Sequence, residues 1–342
     1  MNLEDTRYSE FALVQEMMET PDIIARFNPE QTKKTAEKIA GAGKLFLTGE
    51  GSSRIFPAKN AIRRAMTAGM SLGLFTDGSR QAATYDLKNF AVFCASNSGR
   101  TKEIVLLAKK LKEEGNQNRF GLTANTGTKL EEACAETFVL TCGWEQAVAA
   151  TKSVVEQALF YESILRHIDT DLKDFGEDRL KSLSQAVHGA LTLEIDKKIV
   201  KAAISAPTIY FAGYNDGVAE ELTLKTNEIT RKKSDYLEGT YAVHGIEEVM
   251  EKNDIVFVID PIDEEIDKFE EVLMKGVGLK VVAVANRDTP LPTIIVPDAG
   301  DLNPYVYLCA GWNLLVEIGI AAGIDLDKPE RARKVGNELM GG

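Results

Sequence analysis

Three hydroxyls and a glycine fall within Ser96-Asn97-Ser98-Gly99-Arg100-Thr101, directly after the apolar run 91–95. A helix expected to start near Gly99 would aim backbone N–H groups at the same point. Hydroxyls beside a helix N-terminus suit a phosphate. Helix capping alone would explain one serine. Three hydroxyls with a glycine that permits close approach favour an anionic ligand held by Ser96, Asn97, Ser98 and Thr101. A second loop, Gly49-Glu50-Gly51-Ser52-Ser53, follows the apolar run 44–48 in the same way. Its GxGxx spacing superficially matches a dinucleotide fingerprint. However, Arg54 stands where a third glycine belongs, and no ribose-binding acid ends the next strand, so no cofactor is expected. Gly51, Ser52 and Ser53 are read instead as a second ligand loop beside the first.

A third group lies in the other half of the chain. Glu221, Lys225 and Glu228 fall on one face of a helix expected over 220–230, and His244 follows sixteen residues after Glu228. A solvated charged stripe is the ordinary meaning of such spacing. The chain has only three histidines; His167 and His188 lie in polar helical contexts expected at the surface, whereas His244 precedes a glycine in an expected loop. The four cysteines, Cys94, Cys134, Cys142 and Cys309, show no CxxC spacing, so buried thiols are expected rather than a metal site or disulfides.

The elements that must position these residues come in two copies. KLFLTGEGSS (44–53) matches TIYFAGYNDG (208–217), and AVFCAS (91–96) matches IVFVID (255–260), both at an offset of 164. FGLTAN (120–125) pairs with VVAVAN (281–286) at 161, and FVL (138–140) with IIV (294–296) at 156. Apolar runs of this length predict buried strands. They alternate with helical patterns at 56–68, 101–114 and 129–134, the second with Ile104, Leu107, Ala108 and Leu111 on one face. This is the α/β class with doubly wound parallel sheets, which bind ligands at the C-terminal ends of their strands. Further helices are expected within 6–42, with a break at Asn28-Pro29, and at 149–168, 178–203 and 303–322. Residues 169–178 are the expected linker. A chain of 342 residues accommodates two such domains. Its net charge of -12 argues against nucleic-acid or anionic-membrane partners. No run of 18 uncharged apolar residues is present, and the polar start MNLEDTRYSE is no signal peptide, so a cytoplasmic protein is expected.

Taken together, these segments resemble the sugar-isomerase (SIS) domain family. The likeness is to its double-domain members, among them the isomerase half of glucosamine-6-phosphate synthases and the phosphosugar deglycases and deaminases. The phosphate loop of the family corresponds to SNSGRT, its first-strand loop to GEGSS, its A-[ST]-T-K motif to AATK (149–152), its glutamate helix to EELTLKTNE and its tail to DLDKPERARK. Two departures stand out. The loop TYAVHGI keeps only His-Gly of the family's histidine signature, and Ala150 replaces a frequent hydroxyl residue. The resemblance implies two tandem flavodoxin-like SIS domains: an N-terminal helical segment 1–28, domains over 29–172 and 173–326, and a tail 327–342.

It also implies a phosphosugar-processing enzyme: an isomerase, deaminase or deglycase acting on an amino-sugar or sugar-amine 6-phosphate by C1/C2 proton transfer. A plain aldose–ketose phosphate isomerase and a non-catalytic sugar-phosphate sensor are the alternatives. Glu228 corresponds to the base, His244 to the ring-opening residue, and Lys334 to a tail lysine that forms a Schiff base or pairs with an enediolate. Substrate contacts are expected from Gly51, Ser52, Ser53, Ser96, Asn97, Ser98, Thr101, Ala150 and Lys225. A homodimer, or a tetramer, with shared active sites is implied. With no cysteine before Cys94 and 43 residues before the first strand, no glutamine-hydrolysing domain is expected.

Overall fold

The computed structural model describes residues 1–172, 175–334 and 336–339. Two parallel five-stranded sheets carry the fold. The first comprises β1 (Lys44–Gly49), β2 (Gly73–Gly78), β3 (Ala91–Ala95), β4 (Arg119–Thr123) and β5 (Glu136–Val139), in the order β2-β1-β3-β4-β5. The second comprises β6 (Thr208–Gly213), β7 (Lys233–Glu238), β8 (Ile255–Ile259), β9 (Lys280–Ala285) and β10 (Thr293–Ile295), in the order β10-β9-β8-β6-β7. Counted along each copy, both orders are 2-1-3-4-5, the flavodoxin-like arrangement. Its switch point lies between the first and third strands. β1 pairs on one side with β2 and on the other with β3; β6 does the same with β7 and β8.

The chain divides into two compact units. One contains the first sheet and is built from residues 22–146, 150–181 and the tail from Ala332; the other contains the second sheet and is built from 1–21, 147–149 and 182–331.

Within the first-sheet unit, the expected face of helix Lys102–Glu113 is buried. Ile104, Leu107, Ala108 and Leu111 pack with Val92 and Cys94 of β3 in one apolar cluster. Phe93 and Phe257, equivalent by the repeat, each stack on a ring of a neighbouring strand. Phe93 meets Phe120 of β4 at 5.0 Å between centroids, whereas Phe257 meets Phe211 of β6 at 5.4 Å. The two cores are thus filled by the same chemistry in different registers.

Several elements differ from the expectation. The helix expected over 178–203 is two helices, Glu177–Thr192 and Lys197–Ser205. The second restarts where the Asp196 carboxylate accepts the Lys198 N–H at 2.8 Å as an N-cap. Lys173 and Asp174 of the expected linker lie outside the described residues. β2 and β7 escaped the sequence pattern. His167 is part-buried, its Nε2 hydrogen-bonded with the Pro29 carbonyl at 3.0 Å. All four cysteines are buried and free of disulfides. The segment Gly300–Ala321 is long and apolar enough to span a membrane, yet most of it is buried inside the protein, as befits a core helix.

Candidate functional site

Residues 96–101 follow β3 at the first sheet's switch point. Ser96 is buried, and its Oγ lies 2.8 Å from Thr101 Oγ1 and 3.5 Å from Ser98 Oγ, so the three hydroxyls do converge. The helix starts at Lys102 rather than near Gly99, because Gly99 adopts φ 63°. A Cβ at that position would meet Thr128 at 2.5 Å, so both the backbone angle and the space demand glycine. The Gly99 N–H donates to the Ser96 carbonyl at 2.9 Å and the Arg100 N–H to Ser98 Oγ at 3.2 Å. Fewer loop N–H groups are therefore open to an anion than the sequence suggested. The Lys102 N–H, at the first helical position, donates to the Asn337 carbonyl of the tail at 3.0 Å. Thr101 and Glu338 form an antiparallel bridge there, and Leu339 N–H donates to the Arg100 carbonyl at 3.0 Å.

The neighbouring loop closes tightly. Gly51–Ser53 form a 3-10 turn, and a Cβ on Gly49 would lie 2.6 Å from the Ser53 carbonyl oxygen. Ser52 is buried, and Gln157 Nε2 donates to the Ser53 carbonyl at 2.5 Å. These two loops flank the β1/β3 switch point, where an open α/β sheet offers its ligand crevice.

AATK leads into helix Lys152–Ile168, whose N-cap, Thr151, makes no side-chain cap. Ala150 is half-buried. The cap comes instead from Glu145, a residue the sequence did not mark. Its fully buried carboxylate accepts the N–H groups of Thr151 at 2.7 Å and Ser153 at 3.3 Å, the Ser153 hydroxyl at 2.6 Å and Asn97 Nδ2 at 2.7 Å. Lys334 Nζ lies 3.6 Å from the same carboxylate. Lys334 is thereby brought to the loop that carries Asn97. Glu156 of the helix returns the support, accepting the Thr141 and Cys142 N–H groups at 2.7 Å each.

Glu221, Lys225 and Glu228 belong to the second-sheet unit, on helix Val218–Thr230 after β6. They are no solvated stripe. Glu221 and Lys225 have no exposed side-chain surface, while Glu228 keeps 24%. Lys225 Nζ lies 2.8 Å from Glu228 Oε2 and 3.2 Å from Glu221 Oε1. Burial alone would disfavour the ammonium, but the two carboxylates outweigh it and raise the Lys225 pKa well above its ordinary value. His244 is exposed between the 3-10 turns Tyr241–Val243 and Ile246–Val249. Among the described residues it makes no hydrogen bond to Glu228. Tyr241 and Val249, on the same loop, are exposed as well.

In the second sheet, the loop after β8, which is the counterpart of the hydroxyl loop, is tied down by Arg287. Asp260 directly follows β8 at φ 46°, and Arg287 donates to its carboxylate at 2.7 Å, to Asp263 at 2.9 Å and to the Pro261 carbonyl at 2.7 Å. The cavity there, lined by Gly213, Thr240, Asp260 and Phe269 among others, measures about 10 Å³. The two copies of the fold are therefore unequal: one keeps a hydroxyl loop, and the other closes its counterpart with a guanidinium. Two larger cavities among the described residues are lined by other side chains. One of about 580 Å³ is lined by Arg7, Tyr8, Lys197 and Glu317, and one of about 410 Å³ by Arg166, His167 and Phe175. Among the described residues no cluster of three or more His, Cys, Asp or Glu is arranged to hold a metal ion.

No family model matches the chain. Over 322 residues it is 23% identical to a glutamine–fructose-6-phosphate aminotransferase (isomerizing) of Aeropyrum pernix; the match covers 88% of this chain and 52% of that protein, so the chain spans about half of its relative's length. Its fold matches the C-terminal domain of glucosamine-fructose-6-phosphate aminotransferase from Francisella tularensis, with a TM-score of 0.78 and 19% identity over 94% of this chain and 98% of that one. It also matches tagatose-6-phosphate ketose/aldose isomerase from Escherichia coli, with a TM-score of 0.75 and 16% identity over 96% and 99% of the two chains. A glucosamine-6-phosphate deaminase from Thermotoga maritima gives 0.70 and 19% over 95% and 99%.

Proposed function

We propose that this chain, which has the tandem SIS-domain fold, processes an amino-sugar or sugar-amine 6-phosphate by moving a proton between C1 and C2. The observation that carries the reading is the Glu228 carboxylate, partly exposed and fixed by a buried ammonium at 2.8 Å. A base for a carbon acid must be held still and must reach its proton, and a braced, partly exposed carboxylate meets both conditions. In this reading Ser96, Ser98, Thr101 and Ser52 hold the phosphate. That anchors the sugar remotely and spends phosphate binding on orienting the reacting carbons. His244 passes a proton from the anomeric hydroxyl to the ring oxygen to open the ring. Glu228 then takes the proton from one of C1 and C2 and returns it to the other. The Lys334 ammonium stands beside the charge that develops on the enediolate oxygen; with a ketose, Lys334 instead gives up a proton, and its free amine attacks the carbonyl and forms the imine with loss of water.

Among the matched proteins are ones named for isomerising and for deaminating sugar phosphates, which supports a sugar-phosphate substrate. An exposed His244 beside exposed Tyr241 and Val249 supports a homodimer in which this loop completes the partner's site. Four buried, unbridged thiols fit a reducing cytoplasm.

The test is incubation with a panel of hexose and amino-hexose 6-phosphates and their amino-acid conjugates, scoring isomer and released amine. Turnover of at least one member with amine release supports the reading. Turnover of hydroxyl-bearing hexose phosphates alone favours a plain aldose–ketose isomerase. Saturable binding with no turnover anywhere overturns the enzymatic reading.

A further inference from the structure

Glu145 is a buried carboxylate with more partners than a helix cap requires. One oxygen serves the N-terminus of helix Lys152–Ile168 through Thr151 and Ser153. The other accepts the Ser153 hydroxyl and Asn97 Nδ2 and faces Lys334 Nζ at 3.6 Å. The Asn97 end is fixed as well. Its backbone carbonyl accepts Ala124 N–H at 3.1 Å, Thr123 Oγ1 at 3.1 Å and Asn125 Nδ2 at 2.8 Å. The hydroxyl loop is thus pinned to the sheet on one side and to Glu145 on the other. Lys334, with 19% of its side chain exposed, is tied to the described parts of this unit through the same carboxylate. Four residues further on, the tail bridges to Thr101 and caps the helix behind the loop.

We infer that Glu145 is a positioning residue that sets the Lys334 ammonium and the Asn97 carboxamide in one fixed relation at the ligand loop. Charge supplies the physical reason. A neutral acceptor in the same place would still cap the helix, because Thr151 and Ser153 need only lone pairs. Only a carboxylate also draws an ammonium out of water to a set place, and a buried one does so with little screening. A flexible tail lysine would otherwise lose much side-chain entropy on entering the site with each turnover. Glu145 meets that cost before the ligand arrives, which is what preorganisation means for a catalytic cation. The inference rests on the proposed function for its catalytic consequence, but its structural content stands apart from it.

Two measurements on the full chain test it. In the first, E145Q, K334A and the double variant are assayed with whichever sugar phosphate the panel shows to turn over. E145Q is expected to lower kcat about tenfold or more in the native background and less than about twofold in the K334A background, because the two residues act as one unit. An equal loss in both backgrounds means a merely structural Glu145 and overturns the inference. In the second, hydrogen exchange follows the amides of Lys102 and Leu339, the two that join tail and loop. Both E145Q and K334A are expected to speed their exchange about tenfold, with no further increase in the double variant. K334A breaks the pair from its exposed side, so it reports even if E145Q folds poorly. Unchanged exchange in both single variants overturns the inference. If the native protein turns over nothing while exchange responds as expected, the functional reading fails and the positioning role of Glu145 stands.

Discussion

Lys225 Nζ, with no exposed surface, lies 2.8 Å from Glu228 Oε2, the outermost carboxylate of a buried charge triad on one helix face. Glu221 closes the triad from the inner side at 3.2 Å. The arrangement passes the rigidity of the helix to a carboxylate that still meets its surroundings. Charge inside a core is rarely a stability device, so its presence here points to Glu228 as the group being supported.

Replacing Lys225 by Met should expose that dependence. The substitution keeps volume but takes away the cation 3.2 Å from the buried Glu221 carboxylate, and breaking a buried pair costs about 3–5 kcal/mol. Thermal or urea unfolding of K225M measures it. A variant as stable as the native chain would mean that Glu221 is compensated elsewhere.

The same pair sets a pH dependence. The folded-state Lys225 pKa is raised above its ordinary 10.5, so the ion pair contributes its full stability below about pH 10.5. That contribution is lost as pH rises through the elevated folded value, when native Lys225 gives up its proton. The stability difference between native protein and K225M is therefore expected to be level from pH 8 to 10 and to narrow only beyond 10.5. Narrowing already between pH 8 and 10 would contradict the raised value.

Gly99→Ala tests the hydroxyl loop. Its φ of 63° and the contact at 2.5 Å with Thr128 leave no room for a methyl group without moving the loop. Destabilisation of about 1 kcal/mol or more is expected. Because Ser96, Ser98 and Thr101 must move with it, KM for the sugar phosphate should rise more than kcat falls. A loss confined to kcat would argue that the loop does not hold the phosphate.

Much of this arrangement is legible in the residues. The strands that bury both faces, β1, β3, β4 and their counterparts β6, β8 and β9, read as apolar runs at a steady offset. Helix Lys102–Glu113 shows its buried face in Ile104, Leu107, Ala108 and Leu111. The strands β2 and β7 do not read this way. Their burial is mostly partial, and Thr76, Asp77, Ser234 and Asp235 break any apolar run. Glu145 is invisible for a different reason. Its meaning lies in partners far away in sequence, Asn97 and Lys334, and no spacing rule joins a loop acid to a tail lysine. The buried Lys225 was hidden too, because Glu-Lys-Glu at helical spacing reads the same whether water or a core surrounds it.

Shared sites can be tested by mixing. Equimolar E228Q and H244A, each inactive alone, should regain about a quarter to a half of native activity after subunit exchange if the histidine loop completes the partner's site. No recovery, with exchange verified by mass spectrometry, would place Glu228 and His244 of one chain in one site or remove His244 from the chemistry.

The central claim is proton transfer by Glu228, and isotope exchange reads it most directly. The native protein is incubated in D2O with the sugar 6-phosphate that it turns over, and deuterium at C1 and C2 is followed by NMR. The account predicts solvent deuterium at one of these carbons. With E228Q, incorporation should fall by about 10²- to 10⁴-fold, while phosphate-dependent binding persists. Native-like incorporation in a folded, ligand-binding E228Q would contradict it.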